Sequence, residues 1–178
     1  MVRKFPIFHL GGLAINGTPL AAGCSLLLWA ALALVAVFAF RLPPATAVAG
    51  GLAAVLLHWL SELLHQLGHA AVARRVGYPM REIRLLHLLA ISLYPRDEPA
   101  LPAELHIKRA LGGPPVSILL GLLGLGIAWW WPDRHSVWYL LALLFGLENL
   151  LLFGLGAFVP LGFTDGSTLL TWWPKRGQ

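Results

Sequence analysis

His58, Glu62, His65, Gln66 and His69 fall within twelve residues of one apolar stretch of the chain. Ionisable side chains are costly to hold inside a membrane span and mark functional sites by default. On a helix, positions 58, 62, 65 and 69 stack along one face at spacings of four, three and four. Histidines four residues apart can present both imidazoles to one metal ion. The run His65-Gln66-Leu67-Gly68-His69 differs from the zincin pattern His-Glu-x-x-His only at its second residue. A third ligand candidate is Asp165, in Phe163-Thr164-Asp165-Gly166. His65 and His69 precede Arg74 by nine and five residues, and Asp165 precedes Lys175 by ten. At ~1.5 Å per helical residue, all three then lie roughly 8–15 Å inside the same membrane face. Two histidines and one carboxylate, with a fourth position open to water, make the ligand set of a catalytic zinc ion. The plainer readings are a polar stripe that joins helices by hydrogen bonds and, for Asp165, a turn or helix cap. Glu62-Leu63-Leu64-His65 is also half of a di-iron pattern, but no second half exists in the chain.

The elements that must carry these residues follow from composition. Of 178 residues, 58% are hydrophobic and only 12% charged, with a mean hydropathy of +0.73. Soluble domains carry ~25% charge, so both a water-soluble globule and a disordered chain are excluded. A single cysteine excludes a disulfide framework and a thiolate metal cage. The net charge of +5 sits beside apolar runs rather than on a polar domain, which points away from nucleic acid and toward the lipid bilayer. Four stretches are long enough to cross ~30 Å of hydrocarbon: about 19–40, 45–73, 113–131 and 136–173. The last is too long for one helix, and glycines and Pro160 predict a break near 154–166. Eleven of the thirteen lysines and arginines fall at the two ends and in the loop between the second and third spans. Arg41 and Arg134 lie opposite. The positive-inside bias therefore puts both termini in the cytoplasm.

Two segments read as strand. Phe5 to Pro19, with Asn16-Gly17 as its turn, predicts a short hairpin at the interface. From Arg81 to Leu93 the apolar residues alternate, predicting one or two strands that serve either as an edge for an extended substrate or as a re-entrant hairpin. The segment from Pro95 to Glu104 reads as an exposed loop, and His87 and His106 as interfacial residues. Ser117, Gly121, Gly124 and Ala128 form a stripe of small residues that lets another helix approach the third span. The expected fold is an all-α integral membrane protein. It has about four transmembrane helices and a small β-hairpin element at the cytoplasmic interface, and residues 1–178 form a single domain.

These motifs resemble those of the site-2 proteases, zinc-dependent intramembrane metalloproteases. His65-Gln66-Leu67-Gly68-His69-Ala70, then Ala73-Arg74 and Gly77, is similar to the family's HExGHA…AR…G stretch. Gly113-Pro114 is similar to its AGP stretch, and Pro160 with Asp165-Gly166 to its NxxP…DG stretch. The resemblance implies that His65, His69 and Asp165 bind one catalytic Zn2+ ion. It implies a substrate that is a membrane-anchored protein or peptide, cut in or near its transmembrane segment in regulated intramembrane proteolysis. Three residues depart from the pattern. Ser117 and Ala157 stand where asparagines are expected, and Gln66 stands in place of the general-base Glu. An amide cannot take a proton at neutral pH, so the chain is expected to bind zinc and hydrolyse slowly or not at all. Two explanations are open for Gln66: a substitution that arrests an otherwise intact enzyme, or a natural pseudoprotease that binds membrane segments without cutting them. The expected location is a bacterial cytoplasmic membrane. Any regulator is expected to be a separate chain, and nucleic acid is not an expected partner.

Overall fold

Thr18 opens the first long helix. Its hydroxyl accepts the Ala21 amide at 3.1 Å and donates to the Leu85 carbonyl at 2.9 Å, tying the helix start to a strand. Pro19 at the first helical position needs no amide partner there. The computed structural model describes residues 3–177. The elements run β1 (Phe5–Leu10), β2 (Leu13–Gly17), α1 (Pro19–Phe38), α2 (Pro44–Arg75), β3 (Glu82–Leu86) and β4 (Leu89–Leu93). Then follow α3 (Ala103–Ala110), α4 (Pro114–Trp130), α5 (Val137–Leu147), a π-helical segment (Glu148–Leu155), a 3-10 turn (Gly156–Phe158) and α6 (Asp165–Trp172). Four helical stretches are long and apolar enough to cross a membrane: α1, α2, Ala103–Trp130 and Val137–Phe158. This is a mostly helical membrane protein with one small sheet, the architecture expected from composition.

The sheet is larger than the sequence suggested. The two segments of strand join into one four-stranded sheet in the order β1-β2-β3-β4, with β2 and β3 parallel and the other pairs antiparallel. The first hairpin turns at Gly11-Gly12 rather than at Asn16-Gly17. Both glycines have positive φ, at 54° and 87°, which a tight hairpin needs and only glycine supplies without strain. Asn16 ends up paired with Arg84 on β3 and hydrogen-bonds the Glu82 carboxylate. Leu13, Ile15, Met80, Ile83 and Ala90 bury the inner face of the sheet against Ala73, at the arginine-bearing end of α2.

Glu82 fastens the sheet. It pairs with Lys4 at 2.7 Å and Arg84 at 2.8 Å. Burial works to raise its pKa, but the hydrogen bonds from Arg84, Lys4 and Asn16 outweigh it and hold the carboxyl at about 2. A depressed carboxylate stabilises the fold above its unfolded pKa of ~4.3, and that stability is lost as pH falls toward the folded value. Pepsin cleavage within residues 5–17 should therefore rise relative to Glu82→Gln as pH drops from about 4.5 to 2. The variant should already be susceptible at the upper end. Parallel pH profiles for the two proteins would exclude Glu82 as the fastening.

The helices pack where side chains are small. A Cβ on Gly51 would sit 3.1 Å from the Ala33 amide of α1, and one on Gly124 would sit 2.8 Å from the Gly146 Cα of α5. Ser117, Gly121, Gly124 and Ala128 are all buried, forming the contact face of α4. Outward-facing residues such as Leu27, Leu34, Phe38, Leu119 and Trp130 are exposed, as a lipid-facing surface requires. The fourth span breaks as expected: after Phe158 the chain is non-helical to Thr164, and α6 begins at Asp165.

One element was absent from the sequence reading. Residues 103–110 form α3, and the segment before it is not simply exposed, since Leu101 is buried and Glu98 binds Arg109 at 3.0 Å. The signal lay in the order of charge, with Pro102 ahead of the helix, Glu104 in its first turn and Lys108 and Arg109 in its last.

Candidate metal centre

His65 and His69 lie one turn apart on the buried face of α2, and their Nε2 atoms are 2.9 Å from each other. The Asp165 carboxylate closes the group, with its two oxygens each 3.4 Å from one Nε2. Ligand atoms bonded at ~2.0–2.1 Å to a tetrahedral zinc stand ~3.3–3.4 Å apart; the two Asp–His distances match that figure, and the His–His separation of 2.9 Å is shorter than it. The three side chains offer ligand atoms all within 4.8 Å of one another, and the two imidazoles are buried. The donor set therefore fits a zinc ion.

The other ring nitrogens are occupied, which fixes how the rings point. His69 Nδ1 donates to the Arg109 carbonyl at 2.7 Å. A carbonyl only accepts, so the proton is on Nδ1 and the Nε2 lone pair is free for a metal. His65 Nδ1 pairs with the Ser117 hydroxyl at 2.9 Å. Partners of this kind orient ligands and tune their basicity. Ser117, expected as part of a packing stripe and as a departure from the family's asparagine, thus also holds a ligand ring. Sequence spacing alone does not reveal this, because the contact spans fifty-two positions.

Three close approaches bring the ligands together. Gly113, at the bend between α3 and α4, packs so closely that a Cβ there would strike the imidazoles of both His65 and His69. One turn along α2, Gly68 faces Gly112, where a Cβ would sit 2.8 Å from the His69 Cα. Gly166 lets α6 fold back on the carbonyl of Phe158, and this return carries Asp165 to the histidines. Thr164 caps the break, accepting from Leu161 at 3.2 Å and donating to Val159, while Ser167 accepts from Gly162 at 2.7 Å. The α6 helix is also pinned to α3 by His106, stacked on Trp172 at 3.9 Å.

Arg109 was not singled out as a site residue. It is buried among Glu98, the Tyr78 carbonyl and the Tyr94 ring, 4.0 Å from its guanidinium. Arg109 in turn holds the Glu98 carboxyl below the usual carboxylate range by hydrogen bonding to it. The result is a rigid support beneath the carbonyl that orients His69.

Gln66 sits beside the histidines, but its side chain reaches to the sheet. Its amide donates to the Ala90 carbonyl at 2.8 Å and its oxygen accepts from the Ser92 hydroxyl at 2.5 Å. Glu62 also reaches the hairpin, where it accepts the Ala90 amide at 3.0 Å. His58 links Glu148 at 2.5 Å to the Leu88 carbonyl at 2.9 Å, and Asn149 donates to Ser61 at 2.7 Å. Glu148 and Asn149 are thus interhelical partners of α2.

No family model matches the chain. Over 115 residues it is 29% identical to the zinc metalloprotease MJ0392 of Methanocaldococcus jannaschii. That alignment covers 65% of the chain and 32% of the relative, so the chain spans about a third of the length of the curated protein it matches. Among solved structures, it superposes on the site-2 protease from Methanocaldococcus jannaschii with a TM-score of 0.66 and 20% identity. The match takes in 94% of this chain and 70% of that one.

Proposed function

We propose that this chain, similar in sequence to a zinc metalloprotease and in fold to a site-2 protease, is built to hydrolyse peptide bonds in or near the membrane segments of anchored proteins. The observation that carries this reading is the convergence of His65, His69 and Asp165 from α2 and α6 at distances suited to one zinc ion. Zinc held there would polarise the scissile carbonyl and acidify a water. Ser117 and the Arg109 carbonyl keep both imidazoles turned to that point, and the close approach of Gly113 excludes a side chain from it.

In the motif that His65 and His69 complete, Gln66 stands where a base would take the proton of that water and return it to the leaving nitrogen, while its side chain is bonded to Ala90 and Ser92. Its amide hydrogen-bonds but does not accept a proton, so we assign this chain an intact metal centre with arrested hydrolysis. The substrate is a membrane-anchored protein or peptide presented in extended form. A transmembrane helix hides its carbonyls, and β4, the last strand of the sheet, offers an edge on which an unwound segment could pair. The charge distribution supports a cytoplasmic location for both termini.

The second reading, a pseudoprotease that binds membrane segments without cutting them, is favoured by Gln66 alone. The discriminating experiment is cleavage of a membrane-anchored peptide by zinc-loaded Gln66→Glu chain in lipid vesicles. Cleavage supports the protease. No gain over the unaltered chain would leave the binding protein.

A further inference from the structure

The polar stripe of α2 and the outer edge of β4 match rung for rung. His58 donates to the Leu88 carbonyl, Glu62 accepts the Ala90 amide, and Gln66 donates to the Ala90 carbonyl and accepts from Ser92. Steps of four residues on a helix advance ~6.0 Å, and steps of two on an antiparallel strand advance ~6.8 Å, so the stripe keeps pace with Leu88 in the hairpin turn, the Ala90 backbone and the Ser92 hydroxyl. These contacts use the outward edge of the strand. Ala90 is paired with Leu85, but its amide and carbonyl both turn to α2, and the Leu85 carbonyl instead accepts from Thr18.

The membrane explains why such contacts are needed. His58 lies seventeen residues before Arg75, or ~25 Å along the helix axis from the charged end of α2. The tip of the hairpin, touching His58, therefore reaches deep among the apolar spans. An open strand edge does not persist in hydrocarbon, where each unsatisfied polar group costs several kcal/mol.

We propose that Glu62 and Gln66 are placeholders for a peptide strand: they satisfy the outward amide and carbonyl of Ala90 on β4 until an extended substrate takes over the same hydrogen bonds. The amide at position 66 fastens this placeholder more tightly than a carboxylate would. Gln66 supplies a donor to the Ala90 carbonyl, whereas a carboxylate has only acceptors and would face that carbonyl with no proton to share. Glu62 and Gln66 are in this respect positioning residues for β4. The inference rests on the strand-addition part of the proposed function but on neither the metal nor catalysis.

Amide exchange over residues 86–94, measured on the full chain in lipid nanodiscs, tests the rungs. Gln66→Glu and Glu62→Leu should each speed exchange about tenfold, as expected for loss of one hydrogen bond. Glu62→Gln, whose oxygen still accepts the Ala90 amide, should keep the protection. Unchanged exchange in the first two variants, or equal acceleration in Glu62→Gln, overturns the proposal. The second arm adds an apolar decapeptide of valine and threonine, and the same peptide N-methylated at alternate residues. The unmethylated peptide should restore protection of residues 86–94 in Gln66→Glu at a lower concentration than in the unaltered chain, and the methylated one should not. Equal effects of the two peptides, or no effect of either, overturns it. Peptide binding without cleavage by Gln66→Glu would sink the protease reading and leave this one. Cleavage without any change in hairpin exchange would do the reverse.

Discussion

Replacing Gln66 with Glu is expected to raise cleavage of a membrane-anchored peptide by about 10²–10⁴-fold, the usual contribution of a positioned general base. The substitution keeps the length and shape of the side chain. It changes one nitrogen donor into an oxygen that can hold a proton, beside histidines whose orientation does not depend on residue 66. The same change withdraws the donor now bonded to Ala90. Two effects should therefore appear together: a higher kcat from the base, and a lower KM from a more accessible strand edge. Initial rates in lipid vesicles over a range of substrate densities separate them. A kcat no higher than that of Gln66→Ala would show that residue 66 is not the position of the base.

Gly113→Ala is expected to weaken zinc binding by about 10–100-fold or more, the range seen when the support of metal ligands is disturbed. The argument is purely steric. Gly113 has φ −80° and ψ −53°, a conformation alanine adopts freely, so no backbone strain enters. The new methyl group would collide with both imidazoles at their ligating edges. Gly126 on the same helix α4 is the control, because a Cβ there meets nothing within 4 Å. Gly126→Ala should bind zinc like the unaltered chain and be slightly more stable, by up to ~1 kcal/mol. Competition with a chromophoric chelator measures both affinities. Equal affinities for the two variants would mean that α4 does not shape the centre.

The features that sequence reveals here are those with a period or a local cost. Four spans, the broken fourth helix and the helical face shared by His58, Glu62, His65 and His69 follow from hydropathy and from the 3.6-residue repeat. Asp165 could be matched in depth to the histidines by counting from the flanking charges. The features it hides depend on contacts between distant positions. Parallel pairing of β2 with β3 joins residues some seventy positions apart, and nothing in either strand announces it. The roles of Ser117 and of the Arg109 carbonyl depend on how α4 and α3 cross α2. Glu62 shares the histidines' helical face, but its carboxylate binds the Ala90 amide, a contact spanning twenty-eight positions. The hairpin of residues 5–17 was placed correctly but its turn was assigned to Asn16-Gly17, although Gly11-Gly12 carries the same kind of signal.

The most direct test of the account is zinc per chain, measured by elemental analysis on the purified protein and on Asp165→Ala prepared identically. About one zinc per chain, lost or strongly reduced in the variant, is the predicted result. It would mean that α2 and α6 meet to hold one ion. Absence of zinc from both proteins, or equal zinc in both, would contradict the His65–His69–Asp165 centre.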